Sequence, residues 1–377
     1  MPRSLSTYLD LLRIVAAFAV FGSHATFAEF TGGIVAPQLQ IGRAAVIVFF
    51  VLSGYVITYA ATERERSLRS FAVSRLARVY SVALGALALT AAVDLLTVAV
   101  GFPRTVPTYQ YVGWWKYLPL FLSFSSEAWT FREGVFSNAV FWSLSYEVWY
   151  YIAFAAAIYY RGWRRALLLI AILAFMRERM LIEFPIWILG SLIYRLHGRL
   201  TLRRGLARVL VVVSLAGLVA VRASGLDDRV NGAVNALLGG YPVAHLHASQ
   251  FFAGDYIVGL LAGLNIFAAR YAGFGLLEVP AVRRAIVYAA SFTFTLYLTH
   301  RPFLNLFLML GHDPHSPLSI GVMVVAVLVA VWLFGLVTEH RKLAWRRWFE
   351  QLIAAARDRL ARRAPLLYRL ATPTLGS

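Results

Sequence analysis

Thr7–Phe27, TYLDLLRIVAAFAVFGSHATF, is the stretch that decides the fold. It is apolar and long enough to cross a bilayer as a helix, yet it carries Asp10, Arg13 and His24. Ionisable groups inside lipid are costly and point to function by default. Arg13 and His24 are eleven residues apart, close to three turns, so they share one helical face at about 16 Å separation along the axis. A cation near one membrane surface and an imidazole near the other would span the reach of an extended pantetheine arm. The alternative is a snorkelling arginine and a histidine bonded to a neighbouring helix.

The pattern of this segment continues through the chain of 377 residues, which is 60% hydrophobic with a mean hydropathy of +0.68. Ten apolar runs follow one another: Thr7–Phe27, Gly42–Ala60, Tyr80–Phe102, Asn138–Tyr160, Ala166–Met176, Leu181–Tyr194, Ala207–Arg222, Ser249–Ala269, Ile286–Leu310 and Leu318–Thr338. Single helices satisfy their own backbone in lipid, so the expected fold is an all-α, polytopic integral membrane bundle of about ten crossings. The fifth and sixth runs are short, and Arg177-Glu178-Arg179 between them suits a tight hairpin at the membrane edge. The first run is expected to be a retained helix rather than a cleaved signal, because its charges do not suit a signal's apolar region.

A net charge of +18 would suggest nucleic acid in a soluble protein. Here the positive-inside rule and anionic lipid account for it, and no nucleic-acid partner is expected. Only Lys116 and Lys342 are lysine, so arginine supplies 34 of the 36 basic residues. Ala61–Val79, Arg161–Arg165, Arg195–Arg208 and Arg270–Ala285 are basic, whereas Ala28–Ile41 and Gly311–Pro317 hold no lysine or arginine. This alternation places both termini in the cytoplasm. Pro103–Ser137 then lies outside, and its aromatics, with Trp114, Trp115 and Tyr117, suit an interfacial or re-entrant segment.

Residues 1–338 read as a membrane domain and 339–377 as a basic amphipathic cytoplasmic tail. In the tail Trp345, Trp348, Phe349, Leu352, Ile353, Ala356 and Leu360 keep helical spacing. A helix on the inner leaflet is expected, fraying towards Pro365. The chain has no cysteine, which excludes disulfides, thiolate metal sites and a cysteine acyl-enzyme. His245 and His247 lack further ligands at metal spacing and read as loop residues, so no metal is expected.

Four further stretches hold chemistry-bearing residues. FWSLSYEVWYY places Glu147 about nine residues from the outer end of its run, as a partner for His24 or as a structural acid bonded to Ser143, Ser145 or a tyrosine. SRLARVY places Arg75 and Arg78 three apart, on one helical face, as a phosphate clamp with Arg13 or as topology anchors. LYLTHRPF carries Tyr297, His300 and Pro302, with His300 either lining the same cavity as His24 or capping a proline kink. Ser53 and Gly54 in FFVLSGY, like Gly259 and Gly263, read as close helix packing, Ser53 having no adjacent base. Asp94 and Asp255 are intramembrane acids without an evident partner.

LDLLRIVAAFAVFGSHA, GRAAVIVFFVLSGYVI, SRLARVY and FWSLSYEVWYY together resemble the acyltransferase-3 family of integral membrane O-acyltransferases, with TLYLTHRPF and EHRKLAWRR adding support. The likeness runs from about Leu9 to Arg347. It departs from the family pattern at Leu11 and Ile14, where glycines are usual, at Val148, where a second acid is common, and at Ser81, where a proline often stands. The resemblance implies transfer of an acyl group, often acetyl from acetyl-coenzyme A, to a hydroxyl of a carbohydrate or glycosylated acceptor. The acyl-CoA would be a co-substrate rather than a resident cofactor, and the site a bacterial cytoplasmic (inner) membrane. Carried over by position, His24 is the essential histidine, Glu147 the motif acid, and Arg13, Arg75 and Arg78 the donor-side cations. Trp142, Ser145, Tyr297 and His300 are expected near the substrates. The expected mechanism has His24, oriented by Glu147, take the proton of the acceptor hydroxyl or carry the acyl group itself. A glycolipid or polysaccharide transporter is the competing class, but no internal echo of interrupted helices is found.

Overall fold

The structure, a computed structural model, describes residues 1–34, 41–239 and 245–363. Among them the only regular secondary structure is helix, with no strand. The bundle is built on α1 (Arg3–Ala25), α2 (Gly42–Glu63), α3 (Leu68–Ala99), α4 (Phe141–Tyr159), α5 (Gly162–Leu196), α6 (Arg204–Ser224), α7 (Phe252–Ala272), α8 (Pro280–Ala290), α9 (Thr293–Met309), α10 (Pro317–Val337) and α11 (Lys342–Arg363). Further helices lie between them, the longest being Leu226–Leu237.

Among the described residues six helical stretches are long and apolar enough to cross a membrane: α1, α2, α3, α6, α7 with the turn before it, and α10 running on towards the tail. Of the ten expected runs, those on α4, α5 and α9 are not among these six. α4 and α9 carry the polar residues of the site, and α5 carries Arg177-Glu178-Arg179. The lipid-facing sides are apolar, as with the exposed Val15 and Phe18 on α1.

α5 joins the fifth and sixth runs but breaks at Arg177, whose φ of 55° and ψ of −171° are not helical. The break is held from inside. Arg179 is buried, bonds Glu127 at 3.2 Å and donates to the carbonyls of Trp129 and Phe131 at 3.3 and 2.6 Å. Below it, α5 and α2 meet backbone to backbone. A Cβ on Gly54 would stand 1.9 Å from the Trp187 carbonyl oxygen, and one on Gly190 2.0 Å from that of Val51. Gly54 is thus the packing residue the sequence suggests. Gly259 and Gly263 likewise abut Ile186, Leu189 and Ile193.

The stretch between α3 and α4 folds back into the bundle. Tyr111 and Ser137 both donate to Asp94, towards the far end of α3, so the segment enters and leaves at one level. Between them, the Leu122 carbonyl accepts from the Tyr80 hydroxyl at 2.6 Å, fourteen residues back along α3. Fourteen helical residues are about 21 Å, so the loop descends far into the bundle and returns. Asp94 therefore has its partners. Asp255 has one too, in a cluster where Arg43 pairs with it and with Glu183, the latter at 3.3 Å.

The tail helix does not stand apart. Phe349 of α11 is buried against Val73 and Ala77 of α3, with Trp345 and Ile353 beside it, while Trp348 and Leu352 remain exposed. Pro365 lies outside the described residues.

Candidate active site

α1 carries Arg13 and His24 on one continuous helix, as their spacing requires. The two lead to different surroundings. Arg13 pairs with Asp10 at 3.0 Å and lines a cavity of about 390 Å³ with Arg75, Arg78, Glu339, Lys342 and Arg346. Arg75 pairs with Glu65 at 2.7 Å. Among the described residues the Arg78 side chain makes no hydrogen bond or ion pair, so its guanidinium is available to a ligand. The three donor-side cations expected from sequence therefore share one chamber.

A second, narrow cavity of about 70 Å³ adjoins it, sharing Arg13, Arg78 and Thr293, and continues past Ser53, Glu147 and Tyr151 to Ser143 and Tyr297. Glu147 accepts from Ser53 Oγ at 2.6 Å and from the Tyr151 hydroxyl, and Trp187 Nε1 donates to Ser53 at 3.1 Å. Tyr151, four residues after Glu147, is the tyrosine partner that the structural reading of Glu147 offers, while Ser53 and not Ser143 or Ser145 is the serine that bonds it. Ser53 is thus more than packing, because it fixes the carboxylate.

His24 is bonded elsewhere. Its Nδ1 lies 2.7 Å from Nε2 of His300, with the rings stacked at 5.0 Å between centroids. His300 is fully buried, and its Nδ1 lies 2.8 Å from the Leu296 carbonyl. A carbonyl only accepts, so His300 Nδ1 carries the hydrogen. A buried imidazole without a carboxylate partner is neutral, so its Nε2 accepts, and His24 Nδ1 donates. His24 Nε2 is then left with a free lone pair.

This replaces the expected His24–Glu147 pairing, for a reason of register. Ser143 Oγ and the Tyr297 hydroxyl are 2.5 Å apart and lock α4 to α9. Glu147 lies one turn from Ser143 in one direction, and His300 about one turn from Tyr297 in the other. Seven helical residues of separation amount to about 10 Å. Glu147 belongs with Arg13 and Arg78, and His300 takes its place beside His24.

Pro302 contributes to the second site indirectly. Lacking an N–H, it leaves the Leu298 carbonyl unpaired within the helix, and Asn138 Nδ2 donates to that carbonyl at 2.9 Å. Of the other expected residues, Tyr297 lines the narrow cavity. Ser145 faces away from Glu147 and bonds Ser126 of the re-entrant loop at 3.0 Å, and Trp142 packs on Tyr146 and under Arg43. His247 lies 3.4 Å from Glu127. Among the described residues no group of acids and histidines is arranged to hold a metal.

A helical bundle with several segments long and apolar enough to cross a bilayer, in which one helix joins a cationic chamber to a histidine pair, defines a multi-pass membrane protein. A family model described as an acyltransferase domain matches residues 6–337, nearly the whole chain, and the chain belongs to that family, acyltransferase-3. It is a membrane acyltransferase. No curated protein and no solved structure matches it.

Proposed function

We propose that this acyltransferase moves an acyl group, acetyl in the simplest case, from acyl-coenzyme A to a hydroxyl of a carbohydrate or glycosylated acceptor in a bacterial cytoplasmic membrane. Counting α4, both halves of α5 and α9 with the six apolar stretches gives ten crossings and leaves both termini cytoplasmic, beside the basic loops. The cationic chamber then opens on the side where coenzyme A is found.

One observation carries the proposal: His24, with Nδ1 held 2.7 Å from His300 Nε2, stands on the same helix as Arg13, which lines a chamber of cations. The nucleotide phosphates of the donor bind Arg75, Arg78 and Arg13 by charge-assisted hydrogen bonds. The pantetheine arm follows the narrow cavity past Glu147, whose carboxylate accepts from an amide N–H of the arm. The thioester is thereby carried towards His24.

His24 Nε2 takes the proton of the acceptor hydroxyl as its oxygen attacks the thioester carbonyl. The tetrahedral intermediate collapses, the carbon–sulfur bond breaks, and the imidazolium returns the proton to the departing thiolate. His300 is a positioning residue. It holds His24 in the one tautomer that leaves Nε2 free, and it hydrogen-bonds the imidazolium as that forms.

Membranes bearing the protein, incubated with acyl-labelled acetyl-coenzyme A, should move label into carbohydrate, and His24→Ala membranes should not. Label transfer undiminished in His24→Ala would remove His24 from the chemistry.

A further inference from the structure

The cationic chamber is not closed by the family-matched part of the chain alone. Lys342, Leu343 and Arg346 complete its wall, and all three lie beyond residue 337, where the family match ends. They belong to α11, the helix that sequence alone reads as a membrane-surface tail.

α11 is held in place on the same helix that carries the phosphate clamp. Its Phe349 is buried against Val73 and Ala77, neighbours of Arg75 and Arg78 on α3, and its ring lies 5.7 Å from that of Tyr80. Arg69 of α3 donates to the Glu350 carbonyl at 3.3 Å. The apolar edge of α11 thus sets Lys342 and Arg346 facing the chamber that Arg75 and Arg78 line.

The charge balance of the chamber is uneven. Arg13, Arg75, Arg78, Lys342 and Arg346 line it with only two acids, Asp10 and Glu339, while Glu65 and Glu350, outside the lining, pair with Arg75 at 2.7 Å and with Arg346 Nε at 3.1 Å. Asp10 is engaged by Arg13, and Glu339 by the amide and hydroxyl of Thr295 at 3.1 and 2.9 Å. Among the described residues neither the Arg78 nor the Lys342 side chain has a hydrogen bond or ion pair, and Nε of Arg75 is buried without a partner. Like charges gathered in a partly enclosed space repel one another, and a ligand with several negative charges relieves that repulsion.

We propose that α11 is part of the donor site, with Lys342 and Arg346 binding the phosphate end of a nucleotide thioester opposite Arg75 and Arg78. The ligand class is one bearing both a diphosphate and a phosphomonoester, more charge than the three family-matched arginines would need to meet. This rests on the acyl-coenzyme A donor proposed above. The same phosphate chemistry occurs in anionic lipid headgroups, and the test separates the two.

Lys342 is one of only two lysines in the chain, the other being Lys116, which lies against the exposed Trp115 in the outer loop. Purified full-length protein in uncharged detergent is treated with an amine-acylating reagent, with and without saturating coenzyme A, and each lysine is read by mass spectrometry. Coenzyme A should shield Lys342 severalfold and leave Lys116 unchanged. Titration then should show Lys342→Gln with Arg346→Gln binding coenzyme A about tenfold more weakly, or 1.4 kcal/mol, with a flatter salt dependence. Lys342→Arg with Arg346→Lys should restore binding.

Equal labelling of Lys342 with and without bound coenzyme A overturns the proposal and leaves the donor reading standing, provided Arg75→Gln with Arg78→Gln loses affinity. If wild-type protein fails to bind coenzyme A, and phosphatidylglycerol nanodiscs rather than coenzyme A shield Lys342, both fall.

Discussion

The two ends of α1 solve opposite problems. Around Arg13 the protein gathers charge in an open chamber, pairs some of it with Asp10 and Glu65, and leaves Arg78 unengaged. Around His24 no acid bonds the imidazoles: two stacked rings and a backbone carbonyl stand in a line, and the nearby Arg301 is paired with Glu29 at 3.2 Å. Anion binding gains from unpaired cations within reach of water, whereas proton abstraction needs one defined lone pair, which a neutral, buried partner provides. Glu147 sits with the first end and not the second. Binding and chemistry should therefore be separable by mutation, although one helix carries both.

The largest effect should come from the chemical end. His24→Ala should lower turnover at saturating donor by about a thousandfold, within the range general base catalysis supplies, while coenzyme A binding stays near wild type. His300→Ala should follow, with a loss in kcat on the order of tenfold to a hundredfold and little change in donor KM, because the base remains but its tautomer is no longer fixed. His300→Asn should recover part of that loss by offering Nδ1 of His24 an acceptor. An equal loss in both His300 variants would mean the ring packs the site rather than orienting His24.

The binding end should respond in the other parameter. Arg75→Ala with Arg78→Ala should raise donor KM about tenfold, more at low than at high ionic strength, with kcat at saturation little altered. A fall in kcat with unchanged KM would erase the contrast between the two ends. The smallest functional effect should come from Gly54→Ala, which acts on the scaffold. Its Cβ would meet the Trp187 carbonyl oxygen at 1.9 Å, so α2 and α5 must part, at a cost of about 2 kcal/mol. A lower melting temperature of the purified protein, with near-normal donor affinity in the folded fraction, is the expected result.

Much of this was legible in the sequence because single helices carry it. The eleven-residue spacing of Arg13 and His24, the three-residue spacing of Arg75 and Arg78, and the packing role of Gly54 are properties of one helix each. The aromatics of the segment between α3 and α4 suited an interfacial or a re-entrant course, and its contacts with Tyr80 and Asp94 run into the bundle. What stayed hidden depends on register between helices. The Ser143–Tyr297 contact that separates Glu147 from His300 is written in neither helix alone. Nor was the depth of the re-entrant loop, fixed by Tyr80 and Leu122, or the buried Arg179–Glu127 pair. The polar face of α11 reads as surface because spacing does not say which helix it docks on. Only the seat of Phe349 on α3 brings Lys342 and Arg346 to the chamber.

The separation of the two ends is tested most directly by single-turnover transfer in purified His24→Ala protein at saturating acyl-labelled coenzyme A, where donor binding no longer limits the outcome. No label should reach the acceptor while the donor stays bound. Transfer at the wild-type rate would contradict the assignment of the chemistry to His24.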